Sequence, residues 1–195
     1  MDPSHLTQFL ILSLLLYGSP GPATLSLAAS GAAVGFSRSL PYLLGILLGL
    51  GLNILLAAFG LVSLLERAPG VVSALRYLSL VYIVYLAIRM LRNKPGPGTR
   101  DHSLKFGEGV LINLLNPKGY AANLALMSQF GSAESSQIWF LLSLLLAIGL
   151  FVDLAWCSMG VALRHSMIWE RKSGVIQIVF AVLLVSSVLI ATFWS

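Results

Sequence analysis

Hydrophobic residues occur along the chain in long windows that are separated by short polar segments. About twenty apolar residues are needed to cross a hydrocarbon core about 30 Å thick. Six such windows fit the sequence, at positions 6–30, 40–65, 70–91, 106–130, 138–163 and 174–193. They leave no room for a soluble domain, so the pattern predicts an all-α integral membrane protein with six transmembrane helices.

The composition agrees with a lipid environment. Of the 195 residues, 57% are hydrophobic and 10% are charged, whereas soluble domains carry about a quarter charged residues. The net charge of +5 is divided among separate loops, and without a single basic patch nucleic acid is not a predicted partner. The composition therefore indicates the lipid bilayer as the surroundings of the chain.

Residue types that carry covalent or metal chemistry are few. Cys157 is the single cysteine, which excludes an internal disulfide or a CxxC motif. His5, His102 and His165 lie far apart in the six-span arrangement, so they predict neither a metal site nor a Ser-His-Asp triad. We therefore expect no catalytic residue, no metal and no cofactor, and the sequence does not predict an enzyme.

The basic residues predict the orientation. Nine of the twelve Lys and Arg residues fall in the loops after spans one, three and five, and short loops rich in Lys and Arg stay cytoplasmic. Both termini are therefore predicted to lie outside. The chain divides into a three-helix repeat at 1–91, a basic cytoplasmic loop at 92–105 and a second three-helix repeat at 106–195.

Three spans in each half place the two halves in the membrane with opposite orientations, as in an inverted repeat. Span one is interrupted by Pro20-Gly21-Pro22, and span four is interrupted at the matching place by Asn116-Pro117-Lys118. In spans two and five, Asn53 and Asp153 each precede a glycine by seven residues. The pattern predicts a 3+3 inverted repeat in which helices one and four are broken.

The two interruptions predict a polar site at membrane depth. Each proline removes a backbone donor and leaves carbonyl groups that hydrocarbon cannot satisfy. The ends of half-helices suit a carboxylate at an N-terminus and a cation at a C-terminus, which together describe a site for a small zwitterion. The alternative is that the prolines only shape helix packing.

Lys118 and Asp153 fall near the middle of their predicted spans. Burying either charge there costs about 2.5–3.5 kcal/mol on insertion scales, so each side chain should face a cavity or the other. One interpretation is a structural Lys118–Asp153 ion pair. The other is that Asp153 takes up and releases a proton, or pairs with a substrate amine, while Lys118 meets a substrate carboxylate.

Small residues four apart, Gly31 with Gly35 and Gly45 with Gly49, predict close contacts between helices. We interpret both pairs as packing positions. Cys157, one turn after Asp153, is interpreted in the same way.

Several segments together resemble the LysE/RhtB family of bacterial amino-acid exporters, over nearly the whole chain. Asn-Pro-Lys in its Phe-Gly-Asn context is the most specific of them. The segments are Ser19-Pro-Gly-Pro-Ala-Thr24, the basic central loop, Phe106-x-x-Gly109-x-x-x-Asn113-x-x-Asn116-Pro-Lys118, Gln129-Phe130 and Val152-Asp153.

The resemblance implies a bacterial inner-membrane secondary transporter, often a homodimer, that exports amino acids or related zwitterions by antiport with protons. With Asn53 added from the repeat, the predicted substrate-binding and transport residues are Pro20, Gly21, Pro22, Asn53, Asn116, Pro117, Lys118 and Asp153. Ala23 and Ser128 depart from the residues usual in the family, which motivates one alternative, a degenerate, non-transporting membrane partner protein. A membrane redox carrier is a further alternative, which the single cysteine and dispersed histidines disfavour.

Overall fold

The structure is a computed structural model that describes residues 2–59, 69–92, 103–131 and 135–193. Within these ranges all regular secondary structure is helical. The helices are α1 (Pro3–Gly18), α2 (Pro22–Val34), α3 (Phe36–Ala58), α4 (Pro69–Arg92), α5 (Phe106–Leu114), α6 (Pro117–Phe130), α7 (Ser135–Arg164) and α8 (Met167–Phe193). The prediction of an all-helical protein is confirmed for the described part of the chain.

Among the described helices, α3, α7 and most of α8 are long and apolar enough to cross a membrane. Helices α1 and α2, taken together, are also long and apolar enough to cross a membrane, with a bend of 59° between them. These elements support a multi-pass membrane protein.

The predicted window at 106–130 corresponds to two short helices, α5 and α6. Positions 60–65 of the second window and most of the predicted basic loop lie outside the described residues.

Helix α8 begins at Met167, seven residues before the predicted span at 174. The backbone departs from helical geometry at Lys172, with φ −136° and ψ 23°. A short first segment at 167–172, which ends in Glu170, Arg171 and Lys172, therefore precedes the long apolar part of the helix. Hydropathy windows did not detect this segment because its three charged residues interrupt the apolar run.

Helices of the first half pack mainly on helices of the second half. The principal pairs are α3 with α5, α2 with α7, and α4 with α8. One buried core joins α2, α3, α4 and α8 around Tyr42 and Leu86, and a second joins α1, α3, α6 and α7 around Phe9 and Leu145. Large apolar side chains along the outer faces of α4 and α8 are exposed, as expected for surfaces that face lipid.

Glycines make the closest inter-helix contacts, as the small-residue spacing predicts. A Cβ atom on Gly45 would lie 2.0 Å from the Phe106 carbonyl oxygen, and one on Gly31 would lie 2.5 Å from the Cys157 carbonyl oxygen. Gly35 has a different role, because its φ of 85° turns the chain from α2 into α3. Without side chains at Gly31 and Gly45, backbones of the two halves can approach directly.

Candidate functional site

Both helix interruptions open onto one cavity between the two halves of the chain. The wall combines the end of α1, the start of α2, the middle of α3, the α5–α6 junction and the middle of α7. Its empty volume is about 490 Å³, including space that is open to the surroundings. It is lined by Leu16, Tyr17, Gly21, Ala23, Thr24, Ile46, Leu50, Asn113, Asn116, Lys118, Gly119, Ala122, Gly149, Val152 and Asp153.

The first interruption lies between α1 and α2. Helix α1 ends at Gly18, Ser19 and Gly21 are extended, and Pro22 occupies the first turn of α2, a position where the missing proline N–H costs nothing. The Gly21 amide donates to the Thr24 hydroxyl at 3.0 Å. Thr24 thus satisfies the backbone N–H of Gly21, the N-cap residue of α2.

The carbonyl groups at the end of α1 obtain partners from the second half of the chain. The Lys118 ammonium donates to the Ser19 carbonyl at 2.6 Å and to the Pro20 carbonyl at 3.4 Å. The Trp156 indole N–H donates to the Gly18 carbonyl at 3.3 Å. The polar partner that the interruption requires is therefore Lys118, assisted by Trp156.

The second interruption lies between α5 and α6. Helix α5 ends at Leu114, Asn116 is extended, and Pro117 begins α6. The Asn116 side-chain oxygen accepts a hydrogen bond from the Lys118 amide at 3.1 Å, which is the usual bond of a helix N-cap. The start of α6 is therefore capped by a residue of the interruption itself.

Asp153 lies in the middle of α7, one residue after Val152, and faces the cavity. The residue is 4% exposed, and its Oδ2 atom has no hydrogen-bond partner within the described ranges. The interpretation of a Lys118–Asp153 ion pair is wrong for this structure, because the described ranges contain one ion pair, between Arg89 and Glu108. Lys118 and Asp153 instead reach the same cavity separately.

A chain of buried hydrogen bonds runs from the cavity wall through three asparagines. The Tyr17 hydroxyl donates to Asn123 Oδ1 at 2.5 Å, and Asn123 Nδ2 donates to Asn53 Oδ1 at 2.8 Å. Asn53 Nδ2 then donates to the Asn113 carbonyl at 3.4 Å, and Asn113 Nδ2 donates to the Ile46 carbonyl at 2.8 Å. These bonds connect α1, α6, α3 and α5.

The predicted site residues fall into three groups. Gly21, Asn116, Lys118 and Asp153 line the cavity. The prolines at 20, 22 and 117 form the two interruptions beside it. Asn53 is fully buried behind the wall and joins the asparagine chain.

Sequence reasoning missed four polar residues at or next to the cavity, which are Tyr17, Thr24, Asn113 and Asn123. An amide within an apolar helix is a usable signal, because buried polar side chains need hydrogen-bond partners. Applied to span four, it would have included Asn113 and Asn123 among the candidates. Within the described residues, no group of three or more His, Cys, Asp and Glu side chains could hold a metal ion.

Comparison with known proteins identifies relatives over most of the chain. A family model of LysE type translocators matches residues 14–191. A cysteine/O-acetylserine efflux protein of Klebsiella pneumoniae is 27% identical over 82% of this chain and 84% of its own length. The protein of the same description from Escherichia coli O1:K1 is 27% identical over 95% of this chain and 96% of its own length.

A homoserine/homoserine lactone efflux protein of Salmonella typhimurium is 26% identical over 67% of this chain and 66% of its own length. No solved structure matches the chain. The named relatives are efflux proteins and not enzymes, in agreement with the resemblance drawn from the sequence motifs. The chain belongs to the LysE type translocator family.

Proposed function

We propose that the protein exports an amino acid or a related small zwitterion from the cytoplasm by exchange with protons. The observation that carries the proposal is the cavity at the two helix interruptions, which contains a buried carboxylate whose Oδ2 atom has no hydrogen-bond partner among the described residues. Membership of a family that includes efflux proteins supports export as the direction of transport.

Asp153 provides a reason for exchange. An unpaired carboxylate in a low-dielectric cavity is unfavourable, and either a proton or a substrate ammonium group at Oδ2 would compensate it. Because one oxygen cannot hold both at once, binding of one releases the other. Alternate access of the cavity to the two sides of the membrane would then link proton entry to substrate exit.

We propose a main role for Lys118 other than binding a substrate carboxylate. Two of the three N–H donors of its ammonium group bond to the Ser19 and Pro20 carbonyls, which leaves one donor for a substrate. We assign Lys118, at the second interruption, the role of bonding the free carbonyl groups of the first interruption. Its charge still adds positive potential to the cavity wall.

The proposal includes six spans arranged as a 3+3 inverted repeat. The repeat pairs each helix of the first half with one of the second half: α1 with α5, α2 with α6, α3 with α7 and α4 with α8. When paired helices are exchanged, the contact of α3 with α5 becomes that of α7 with α1. The contact of α2 with α7 likewise becomes that of α6 with α3. The pairs α3 with α7 and α4 with α8 map onto themselves. Both members of these two exchanged contacts occur in the structure, which supports the repeat.

The membrane orientation also belongs to the proposal. The positions of Lys and Arg support cytoplasmic ends at the loops after spans one, three and five and both termini outside, in a bacterial inner membrane. The homodimer that the family resemblance implies stays a prediction.

The test is counterflow of labelled cysteine, O-acetylserine and homoserine in proteoliposomes, with and without an imposed pH gradient. We expect gradient-driven transport in the unmodified protein, and a loss of at least about tenfold in Asp153→Asn, the range that a positioned acid–base group commands. Glu170→Gln, which removes an exposed carboxylate on α8, is the matched control and should transport normally.

Two results would contradict the proposal. Asp153→Asn transport that keeps its full pH-gradient dependence would remove the proton role of Asp153. If the folded, unmodified protein moves none of the three compounds, amino-acid export fails and the non-transporting partner protein becomes the better hypothesis.

A further inference from the structure

Three asparagine side chains from separate segments converge on one glycine in the cavity wall. A Cβ atom on Gly119 would lie 3.4 Å from Asn53 Nδ2, 3.5 Å from Asn113 Oδ1 and 3.7 Å from Asn116 Nδ2. Gly119, Asn113 and Asn116 line the cavity. We refer to the space bounded by Gly119 and these three amides as the asparagine niche.

Hydrogen bonds on the far side of the amides fix which atoms point into the niche. Asn116 Oδ1 accepts from the Lys118 amide, which turns Asn116 Nδ2 away from that bond. Asn53 Oδ1 accepts from Asn123 Nδ2, so that Asn53 Nδ2 faces Gly119. The Tyr17 hydroxyl holds Asn123 in turn. Two amide donors are therefore oriented before any ligand arrives.

The niche has hydrogen-bonding capacity that the described protein groups leave unused. Asn116 Nδ2 and Asn113 Oδ1 have no partner in the described ranges, and Asn53 Nδ2 has one long bond of 3.4 Å. All three residues are at most 6% exposed. Both of the atoms without a partner are accessible from the cavity that their residues line. Asn116 Nδ2 can therefore donate to a ligand, whereas Asn113 Oδ1 is an acceptor that suits a donor such as water.

The charge of the surroundings favours an anion. Gly119 lies in the first turn of α6, where backbone N–H groups have no intrahelical acceptor and the helix dipole is positive. The Lys118 ammonium is held nearby at the first interruption. Asp153 is more than nine-tenths buried, and its Oδ2 atom has no hydrogen-bond partner in the part of the chain that the structure describes. It lies elsewhere on the same cavity wall and favours a cation.

We propose that the asparagine niche binds the carboxylate of the exported zwitterion while Asp153 receives its ammonium group. The inference rests on the proposed function and deepens it by assigning the anionic end of the substrate. Asn53 and Asn116 are the amide donors, and Tyr17 and Asn123 are positioning residues. Glycine is required at 119 because any side chain would occupy the place of the carboxylate.

Gly119→Ala tests the niche without an expected folding defect. The added methyl group would meet all three amides at ordinary contact distances of 3.4–3.7 Å, so it fits but fills the space. Gly107→Ala in α5 is the matched control, because a Cβ atom there meets nothing within 4 Å. The thermal unfolding temperature of each ligand-free variant checks that it folds.

The probes are cysteine and homoserine, together with the amines that lack their carboxylate, cysteamine and 3-aminopropanol. Dissociation constants are measured on purified protein. We expect Gly119→Ala to bind the two amino acids at least about tenfold more weakly, which corresponds to the loss of one hydrogen bond to a charged group. Its affinity for the amines should stay within about twofold of the unmodified protein.

Asn116→Asp provides an independent variant, since the carboxylate keeps the capping oxygen but replaces the amide donor with a negative charge. Asn116→Asp should bind the two amino acids even more weakly than Gly119→Ala does. Unchanged amino-acid affinity in folded Gly119→Ala, or equal affinity of the unmodified protein for amino acids and amines, would overturn the niche while leaving export intact. An unmodified protein that binds neither amino acid overturns the proposed function and the niche together.

Discussion

The two helix interruptions look alike in sequence but are stabilised in different ways. Each second half-helix begins with a proline, at Pro22 or Pro117. At the second interruption the Asn116 side chain caps its own helix. At the first, Gly21 has no side chain, and the freed carbonyls at Ser19 and Pro20 are bonded by Lys118, about a hundred residues away.

The difference shows that neighbouring residues encode the helix cap at the second interruption, whereas the hydrogen-bond partner at the first interruption comes from a distant part of the chain. A capped α6 can form from neighbouring residues alone, because the N-cap bond spans two positions in sequence. The end of α1 is satisfied only when the two halves pack together. The hydrogen bonding of the first interruption therefore depends on the second. Three substitutions can separate the contributions of the two interruptions to the stability of the protein.

The largest effect is expected from Lys118→Met, which keeps much of the side-chain volume but removes the donor. Leaving a carbonyl without a partner costs about 1–3 kcal/mol, so the free energy of unfolding in detergent should fall by about that amount. Lys172→Met, at an exposed lysine in α8, is the control. Equal stability of the two variants would show that the Ser19 and Pro20 carbonyls do not need Lys118.

An intermediate effect is expected from Asn116→Ala, which removes the cap of α6. The loss should be about 1 kcal/mol in the free energy of unfolding, as for other N-cap residues. Asn116→Asp keeps the accepting oxygen and should retain most of that stability. If the aspartate variant is as unstable as the alanine variant, the cap is not what stabilises the second interruption.

The smallest effect is expected from Gly21→Ala. A Cβ atom there would lie 3.0 Å from Lys118 Cδ and 3.1 Å from Nζ, and this flexible side chain can shift. The backbone at Gly21 is extended, with φ −162°, so alanine introduces no backbone strain. A double-mutant cycle with Lys118→Met should give a coupling energy of about 0.5 kcal/mol, and zero coupling would contradict the contact.

Much of the fold could be predicted because helix length and hydropathy are local properties. The window at 70–91 corresponds closely to α4, and the window at 138–163 lies within α7. The first segment of α8, at 167–172, was missed because it is too short for an apolar window and contains Glu170, Arg171 and Lys172. Both proline interruptions were recognisable in sequence because proline cannot take part in regular helix hydrogen bonding.

The candidate site was only partly predictable, because its residues meet through packing across the two halves. Gly21, Asn116, Lys118 and Asp153 could be selected by residue type and depth in the spans. The partner of Lys118 could not, since a lysine in a membrane helix has several ways to satisfy its charge. In the structure Lys118 donates to the Ser19 and Pro20 carbonyls, and Asp153 Oδ2 has no hydrogen-bond partner within the described ranges.

The sequence by itself determined that this chain is helical and surrounded by lipid, where two of its helices are interrupted, and which family it resembles. Those properties depend on hydrophobicity, proline and short motifs, which act over a few neighbouring residues. Only the tertiary structure decided how the polar groups are shared between Lys118, Asp153 and the asparagine niche. The physical reason is that a hydrogen bond depends on distances of about 3 Å, and for residues far apart in the chain those distances are set by helix packing.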